Sequence, residues 1–278
     1  MRSVPVQPAE QPTTPQWDHS SDPDFYHYYE QQSLSPATLE RFAVVREKVL
    51  RLARTRLKRD GPFAVADIGC GAGTQARLWA KLGHTVIGLD INAPLLELAG
   101  QRAVAEGVVI DFRVGSATEL PLPDASMDIC LLPELLEHVP GWEAVLQEAV
   151  RVLRPNGVLY LSTTNVLCPR QQEFELPFYS WYPGFLKRRY EKLAVTTRPE
   201  LVNHARYPAL HWFSFYQLRN WLQQHSVEAR DRFDMMDTGT LGSLNRMALC
   251  LLRALPPLRF LGHVMTSYTV VFGVKALR

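Results

Sequence analysis

The stretch Val65-Ala-Asp-Ile-Gly-Cys-Gly-Ala-Gly-Thr74 decides the fold class that this sequence predicts. A short apolar run ends in an acid and three closely spaced glycines, and a helical pattern begins directly afterwards. Glycines suit such a strand-to-helix turn because the backbone must bend sharply and can then approach a ligand with no Cβ in the way. The stretch therefore predicts the first strand, turn and helix of a ligand-binding α/β unit.

Strand and helix patterns go on alternating through residue 162. The run ICLL at 129–132 is apolar on both faces, as expected for a parallel strand that helices cover on both sides. An amphipathic helix is predicted at 39–57, ahead of the first strand, and further helix and strand patterns follow residue 214. We predict an α/β fold with a doubly wound, mostly parallel sheet of seven strands.

The chain divides into a leader and one domain. Residues 1–16 are predicted to be disordered, because their Pro, Gln and Thr cannot bury enough apolar surface to offset chain entropy. The aromatic stretch after the fifth strand is predicted to be a lid insertion, because disordered segments lack so many rings. The predicted domain, 17–278, comprises a helical cap at 17–60, a ligand-binding core at 61–165, the lid at 166–213 and a C-terminal completion of the sheet at 214–278.

Two acids accompany the glycine turn. Asp67 ends the first predicted strand ahead of Gly69, Gly71 and Gly73, and Asp90 ends the second. A carboxylate at the second position can accept hydrogen bonds from two ribose hydroxyls. A carboxylate ahead of the turn suits a cationic amine better than a pyrophosphate. The predicted ligand is therefore nucleoside-like and carries an amino group.

With these residues the sequence resembles the class I S-adenosylmethionine-dependent methyltransferases, whose first motif is D-x-G-x-G-x-G. The resemblance runs from about residue 63 to 165 and includes the segment 115–128, where Ser116 replaces an Asp that the family commonly has beside the adenine. It implies a Rossmann-like fold and S-adenosyl-L-methionine as cofactor. The expected cofactor contacts are Asp67, Gly69, Cys70, Gly71, Gly73, Asp90, Ile91, Ser116, Ala117 and Pro133.

A second polar cluster, Pro133-Glu-Leu-Leu-Glu-His-Val-Pro140, follows the fourth predicted strand. If the chain turns helical after Pro133, then Glu134, Glu137 and His138 share one face. Such a face can bind Mg²⁺ or another divalent ion, or supply a general base. Alternatively, the two acids cap a helix N-terminus and bind no metal.

This cluster resembles segments of the ubiquinone-biosynthesis O-methyltransferases and of the small-RNA 3′-terminal 2′-O-methyltransferases. The second resemblance implies a later histidine in the metal site, which here is His211, with His204 as its rival. Catalytic roles are expected for Glu137, His138 and His211. The implied ligands of a Mg²⁺ ion are Glu134, Glu137, His138 and His211.

We therefore expect an enzyme, an S-adenosylmethionine-dependent methyltransferase that O-methylates a phenol, catechol or quinol-like small molecule, including a prenylated or lipid-like one. Three alternatives stay open: RNA 3′-terminal 2′-O-methylation, C-methylation of a natural product, and a non-catalytic subunit that binds S-adenosylmethionine. Nucleic acid is the less favoured partner, because a pI near 8.3 is low for a domain that binds RNA.

The amino-acid composition also indicates where in the cell the protein is expected. The chain is 46% hydrophobic and 21% charged, as in globular proteins, and no apolar run approaches the roughly 18 residues of a spanning helix. Four single cysteines and the lack of a secretory pattern predict a reducing cytoplasm. The aromatic and basic residues of 178–192 suit a membrane interface, an RNA end or a plain cap over the pocket. With a lipid-like acceptor, we expect this lid to contact the membrane peripherally.

Overall fold

A single sheet of seven strands organises the molecule. The computed structural model describes residues 32–171, 174–202, 209–239 and 241–277, so the predicted leader and His204 lie outside the described residues. The strands are β1 (Ala64–Ile68), β2 (Thr85–Asp90), β3 (Asp111–Val114), β4 (Met127–Pro133), β5 (Leu153–Thr164), β6 (Val227–Asp231) and β7 (Tyr268–Lys275). The sheet order is β3-β2-β1-β4-β5-β7-β6.

All pairings are parallel except those of β7, which runs antiparallel to both β5 and β6. This confirms the predicted doubly wound, mostly parallel sheet. The order reverses between β1 and β4, and in open α/β sheets ligands bind beside the carboxyl ends of the strands at such a switch point. The fold therefore directs attention to the ends of β1 and β4.

Helices cover both faces of the sheet. They are α1 (Pro36–Leu57), α2 (Thr74–Ala80), α3 (Ala93–Ala105), α4 (Trp142–Val152), α5 (Gly184–Thr196), α6 (Phe215–Gln224), α7 (Ser243–Ala254) and α8 (Pro256–Val264). Along β4, Ile129 and Leu131 pack with α1 and α2, whereas Cys130 and Leu132 pack with α4 and α6. This alternation places consecutive side chains in two separate cores and explains why the run is apolar throughout.

The first helix begins earlier than the pattern predicts, at Pro36 rather than residue 39. Ser35 caps it, since its side chain accepts a hydrogen bond from the Thr38 amide at 3.3 Å, and proline is well suited to the first helical position. The cap and the proline together fix where the helix starts.

The described part of the 166–213 insertion has a small core of its own. Phe174 and Tyr179 stack with ring centroids 4.0 Å apart, and Ala194 and Leu201 are buried beside them. The aromatic residues therefore fold the insertion, in agreement with the composition argument, and its action as a lid stays a prediction.

The C-terminal part of the chain carries the bent helical pair α7 and α8. Among the described residues, none of the individual helices has both the length and the apolarity to cross a membrane. Together, α7 and α8 are long and apolar enough for a span, but the chain bends by 106° between them.

Candidate active site

The glycine turn between β1 and α2 needs its glycines for two reasons. Gly69, Gly71 and Gly73 all have positive φ, at 72°, 50° and 69°, a region that costs other residues strain. A Cβ on Gly69 would also lie 2.8 Å from Leu135 Cδ1. The amides of Gly69 and Cys70 donate to the Leu89 carbonyl at 2.8 and 3.0 Å, which fastens the turn to β2.

Asp90 holds this turn from the end of β2. One carboxylate oxygen accepts from the Gly71 amide at 2.8 Å and the other from the Asn92 amide at 2.9 Å. Each oxygen can accept more than one hydrogen bond. The carboxylate thus positions the loop and is compatible with the predicted contact to ribose hydroxyls.

Asp67 is fully buried at the end of β1. Neither carboxylate oxygen accepts a hydrogen bond of good geometry from the described residues. Burial, reinforced by the charge of Asp90, raises the pKa of Asp67 to about 7, although the nearby Ala76 amide offsets part of this effect. An unpartnered buried carboxylate is costly, and an ammonium group would compensate it. The residues present therefore fit the amino group of S-adenosylmethionine.

The other predicted cofactor residues line the same edge. Cys70 lies in the turn, and burial raises its thiol pKa well above the ordinary value. Ile91 is exposed beside Asp90, and the Gly115 amide donates to the Asp90 carbonyl at 3.0 Å. That bond brings the segment of Ser116 and Ala117 next to β2. Pro133 ends β4 opposite Ser162. The structure therefore gathers the predicted set at the ends of β1 to β4.

The helical turn predicted after Pro133 is wrong. Glu134 has a positive φ of 52°, and its amide donates to the Ser162 carbonyl at 2.8 Å, so pairing with β5 continues past the proline. The next helix begins only at Trp142. The alternative, that the two acids cap a helix N-terminus, is wrong for the same reason.

As a result, the two carboxylates go to opposite faces of the sheet. Glu134 pairs with Arg41 of α1 at 2.5 Å. Glu137 is buried and accepts from the Thr163 hydroxyl at 2.7 Å, and Thr163 shares its face with Leu161 of the α4 and α6 core. Across the described part of the chain, no three His, Cys, Asp or Glu side chains are grouped to hold a metal ion. The predicted Mg²⁺ site of Glu134, Glu137, His138 and His211 is therefore not formed.

Two of the predicted catalytic residues, Glu137 and His211, nevertheless contact each other through their backbones. The Glu137 carbonyl accepts from the amides of Leu210 and His211 at 2.7 and 3.2 Å. The Nε2 atom of His211 is buried, with no hydrogen-bond partner among the described residues. An unpartnered imidazole nitrogen beside the ends of β4 and β5 can take a proton from an acceptor hydroxyl. His138 is half-buried in the same turn.

Three residues of this edge were given no role from the sequence: Arg41, Tyr160 and Thr163. Burial raises the pKa of Tyr160, whose hydroxyl interacts with Ser162 and lies near the Arg41 and Glu134 charges. The polar run at 162–165, which ends an otherwise apolar strand, was a visible signal for Thr163. Nothing in the pattern of α1 singles out Arg41.

A known protein family matches the part of the chain that forms most of this edge. Residues 66–161 match the sequence profile of a family described as a methyltransferase domain. Over residues 66–161 this chain is therefore similar to a methyltransferase domain. The matched segment includes the glycine turn, Asp90, Pro133 and Glu137, whereas Arg41 and His211 lie outside it.

Curated relatives match less than half of this chain. A malonyl-[acyl-carrier protein] O-methyltransferase of Yersinia pestis is 38% identical over 118 residues, 42% of this chain and 42% of that protein. A ubiquinone biosynthesis O-methyltransferase of Haemophilus ducreyi is 35% identical over 123 residues, 42% of this chain and 52% of that protein. The chain thus spans about half the length of these relatives.

Solved structures resemble a larger part of the chain. A putative sarcosine dimethylglycine methyltransferase from Galdieria sulphuraria is 17% identical with a TM-score of 0.53, covering 92% of this chain and 99% of that one. An S-adenosylmethionine-dependent methyltransferase from Thermotoga maritima is 21% identical with a TM-score of 0.51, covering 93% and 99%. At these identities the likeness shows the fold.

Proposed function

We propose that this protein is an enzyme that transfers a methyl group from S-adenosylmethionine to an oxygen atom of a small acceptor. The observation that carries the proposal is the pair of acids at the glycine turn. Asp90 is bonded to the loop, and Asp67 is buried with no hydrogen bond of good geometry from the described residues. The methyltransferase domain matched at 66–161 supports the same cofactor. When bound, S-adenosylmethionine supplies an electrophilic methyl group on a sulfonium.

The chain's own residues divide the work along the sheet edge. Asp67 compensates the amino group of the cofactor, Asp90 accepts from its ribose, and Ser116 and Ala117 lie on the adenine side. The acceptor occupies the ends of β4 and β5, where His211 Nε2 takes the hydroxyl proton. Holding both reactants in one water-poor site supplies much of the acceleration.

We propose a phenol, catechol or quinol-like acceptor, because several curated relatives are named for O-methylation in ubiquinone biosynthesis. The relative named for malonyl-[acyl-carrier protein] makes an acyl-carrier thioester the second candidate. A cytoplasmic location and a peripheral membrane contact of the 178–192 segment are further parts of the proposal, supported by the singly placed free cysteines and by exposed Phe178 and Trp181.

The test is a transfer assay with methyl-labelled S-adenosylmethionine and the full chain. The panel contains catechols, quinols, simple phenols, a malonyl thioester and RNA 3′ ends. We expect label on a phenolic oxygen, identified by mass spectrometry of the product. Tight binding of the cofactor with no transfer to any acceptor would favour a non-catalytic subunit, and no binding at all would refute the proposed activity.

A further inference from the structure

The bent helical pair of α7 and α8 turns apolar side chains towards solvent on both of its helices. The exposed fractions run from 40% to 84% for Leu244, Met247, Leu251, Leu258, Leu261 and Met265. The spacing of i, i+3 and i+7 places Leu244, Met247 and Leu251 on one face of α7. Leu258 and Leu261 share a face of α8, and Met265 directly follows that helix. Within these two helices only Leu249 and His263 are buried. The pair therefore carries far more apolar surface than its packing against the domain uses.

Its outward orientation is fixed by polar side chains that point inward. Arg253 donates to the carbonyls of Phe233 and Met236, each at 2.8 Å, just beyond the end of β6. Arg259 pairs with Asp231 at 2.7 Å, and His263 Nε2 lies 2.9 Å from the same carboxylate. Because Asp231 is fully buried, these contacts anchor the pair firmly and leave the apolar faces outside.

Charge identifies the kind of surface that the pair can meet. Residues 242–278 contain no acid. Although Arg253 and Arg259 turn inward, Arg246 is exposed on α7. The end of α8 also adjoins the start of the aromatic insertion, since the Asn165 amide group donates to the carbonyls of His263 and Thr266 at 2.8 and 2.7 Å. Apolar helix faces with basic and no acidic residues are typical of helices that lie in the interface of an anionic bilayer.

We propose that α7 and α8 form a membrane-docking surface whose partner is an anionic lipid bilayer. The 106° bend sets the two helices in the plane of the interface rather than across the hydrocarbon. The apolar faces enter the boundary between headgroups and acyl chains, and Arg246 meets the phosphates. The docking does not depend on the proposed methyl transfer.

Vesicle flotation of the full chain tests this surface without cofactor or acceptor. The probes are phosphatidylcholine vesicles, with and without about one third phosphatidylglycerol, the composition that separates apolar from electrostatic binding. We expect flotation with the anionic vesicles and at least a tenfold loss of partitioning in the double variant Met247→Glu/Leu251→Glu. Val109→Glu is the matched control, since Val109 is 92% exposed at the opposite edge of the sheet.

Circular dichroism melting establishes that the double variant is folded, and the milder variant Leu251→Ser repeats the test if it is not. Failure of the wild-type chain to float with anionic vesicles would overturn the proposal. So would equal flotation of the wild type and a folded double variant. A wild-type dimer seen by light scattering, which the double variant dissociates while neither floats, would assign the surface to a second copy of the chain instead.

Discussion

Asp67 couples ligand binding to pH, because its buried carboxyl has a pKa raised to about 7. An ammonium group favours the ionised form, so the affinity for S-adenosylmethionine should fall below pH 7, by up to about tenfold per pH unit. Calorimetric titration from about pH 5.5 to 8 measures this dependence. Asp67→Asn should bind weakly with a flat profile, and a flat wild-type profile would contradict the assignment.

The same carboxyl lowers the stability of the empty protein at neutral pH. Its folded pKa lies above the ordinary 3.8, so between about pH 4 and 7 the folded state keeps a proton that the unfolded chain has lost. Stability from this group therefore decreases as pH rises through that window, by on the order of a few kcal/mol. Asp67→Asn should accordingly melt higher than the wild type at pH 8, although it binds the cofactor less well.

Asp90 should contribute directly to the affinity for S-adenosylmethionine. Asp90→Ala removes the carboxylate that holds the Gly71 amide and faces the proposed ribose position. The binding free energy of S-adenosylmethionine should weaken by about 1.5 to 3 kcal/mol, the usual cost of a lost charge-assisted hydrogen bond. Asp111→Ala is the control, because Asp111 is an exposed acid paired with Arg113 on β3. Unchanged calorimetric affinity in Asp90→Ala would remove Asp90 from the site.

His211 should act on turnover rather than on cofactor binding. If its Nε2 takes the acceptor proton, His211→Ala lowers kcat by about 10² to 10⁴-fold and leaves the affinity for S-adenosylmethionine unchanged. His225→Ala serves as the matched control, since His225 stacks on Trp221 just ahead of β6, away from the carboxyl edge. Equal kcat in the two variants would exclude His211 as the base.

At the scale of elements, the turn after β4 separates the two carboxylates that were predicted to bind a metal ion. Because Glu134 pairs with Arg41 and Glu137 with Thr163, the two carboxylates need no shared cation to relieve their repulsion. We therefore expect kcat/KM to change by less than about twofold after exhaustive chelation. Loss of activity that Mg²⁺, Zn²⁺ or Mn²⁺ restores singly would show that ligands assemble only with the acceptor bound.

The helical elements show where a local pattern is sufficient and where it fails. The periodicity from residue 39 predicts most of α1, because one face of that helix packs against a core. The apolar run of β4 predicts a strand, because both of its faces are buried. The same use of spacing fails at 134–138, where it predicts that Glu134, Glu137 and His138 share one face of a helix. Pairing of Glu134 with Ser162 of β5 overrides it, and no nearby residue signals that pairing.

At the scale of the whole molecule, the two edges of the sheet have different tasks. At the amino edge, the buried carboxylate of Asp128 pairs with Arg59 after α1 and with Arg154 in β5, which ties the first helix to the sheet. The carboxyl edge carries the glycine turn and also Asp67 and His211. The two carboxylate oxygens of Asp67 and the Nε2 atom of His211 are buried and lack hydrogen-bond partners among the described residues. The Asp128 ion pairs thus hold the amino edge together, whereas the carboxyl edge presents buried polar atoms that a ligand can satisfy.

The sequence by itself determined the glycine turn and the alternating strands and helices, and it predicted a nucleoside-like ligand, because turn glycines, helix and strand periods, and strand-end acids are properties of neighbouring residues. Tertiary structure alone decided that the carboxylates of Glu134 and Glu137 lie on opposite faces of the sheet and that the His211 amide bonds to the Glu137 carbonyl. It also decided that the side chains of Arg253 and Arg259 turn inward. Each of these depends on partners far away in the chain, as with Arg41 and Glu134, 93 residues apart. Spacing within a segment gives the direction of a side chain only if the backbone conformation is known, and at Glu134 that conformation is set by the neighbouring strand.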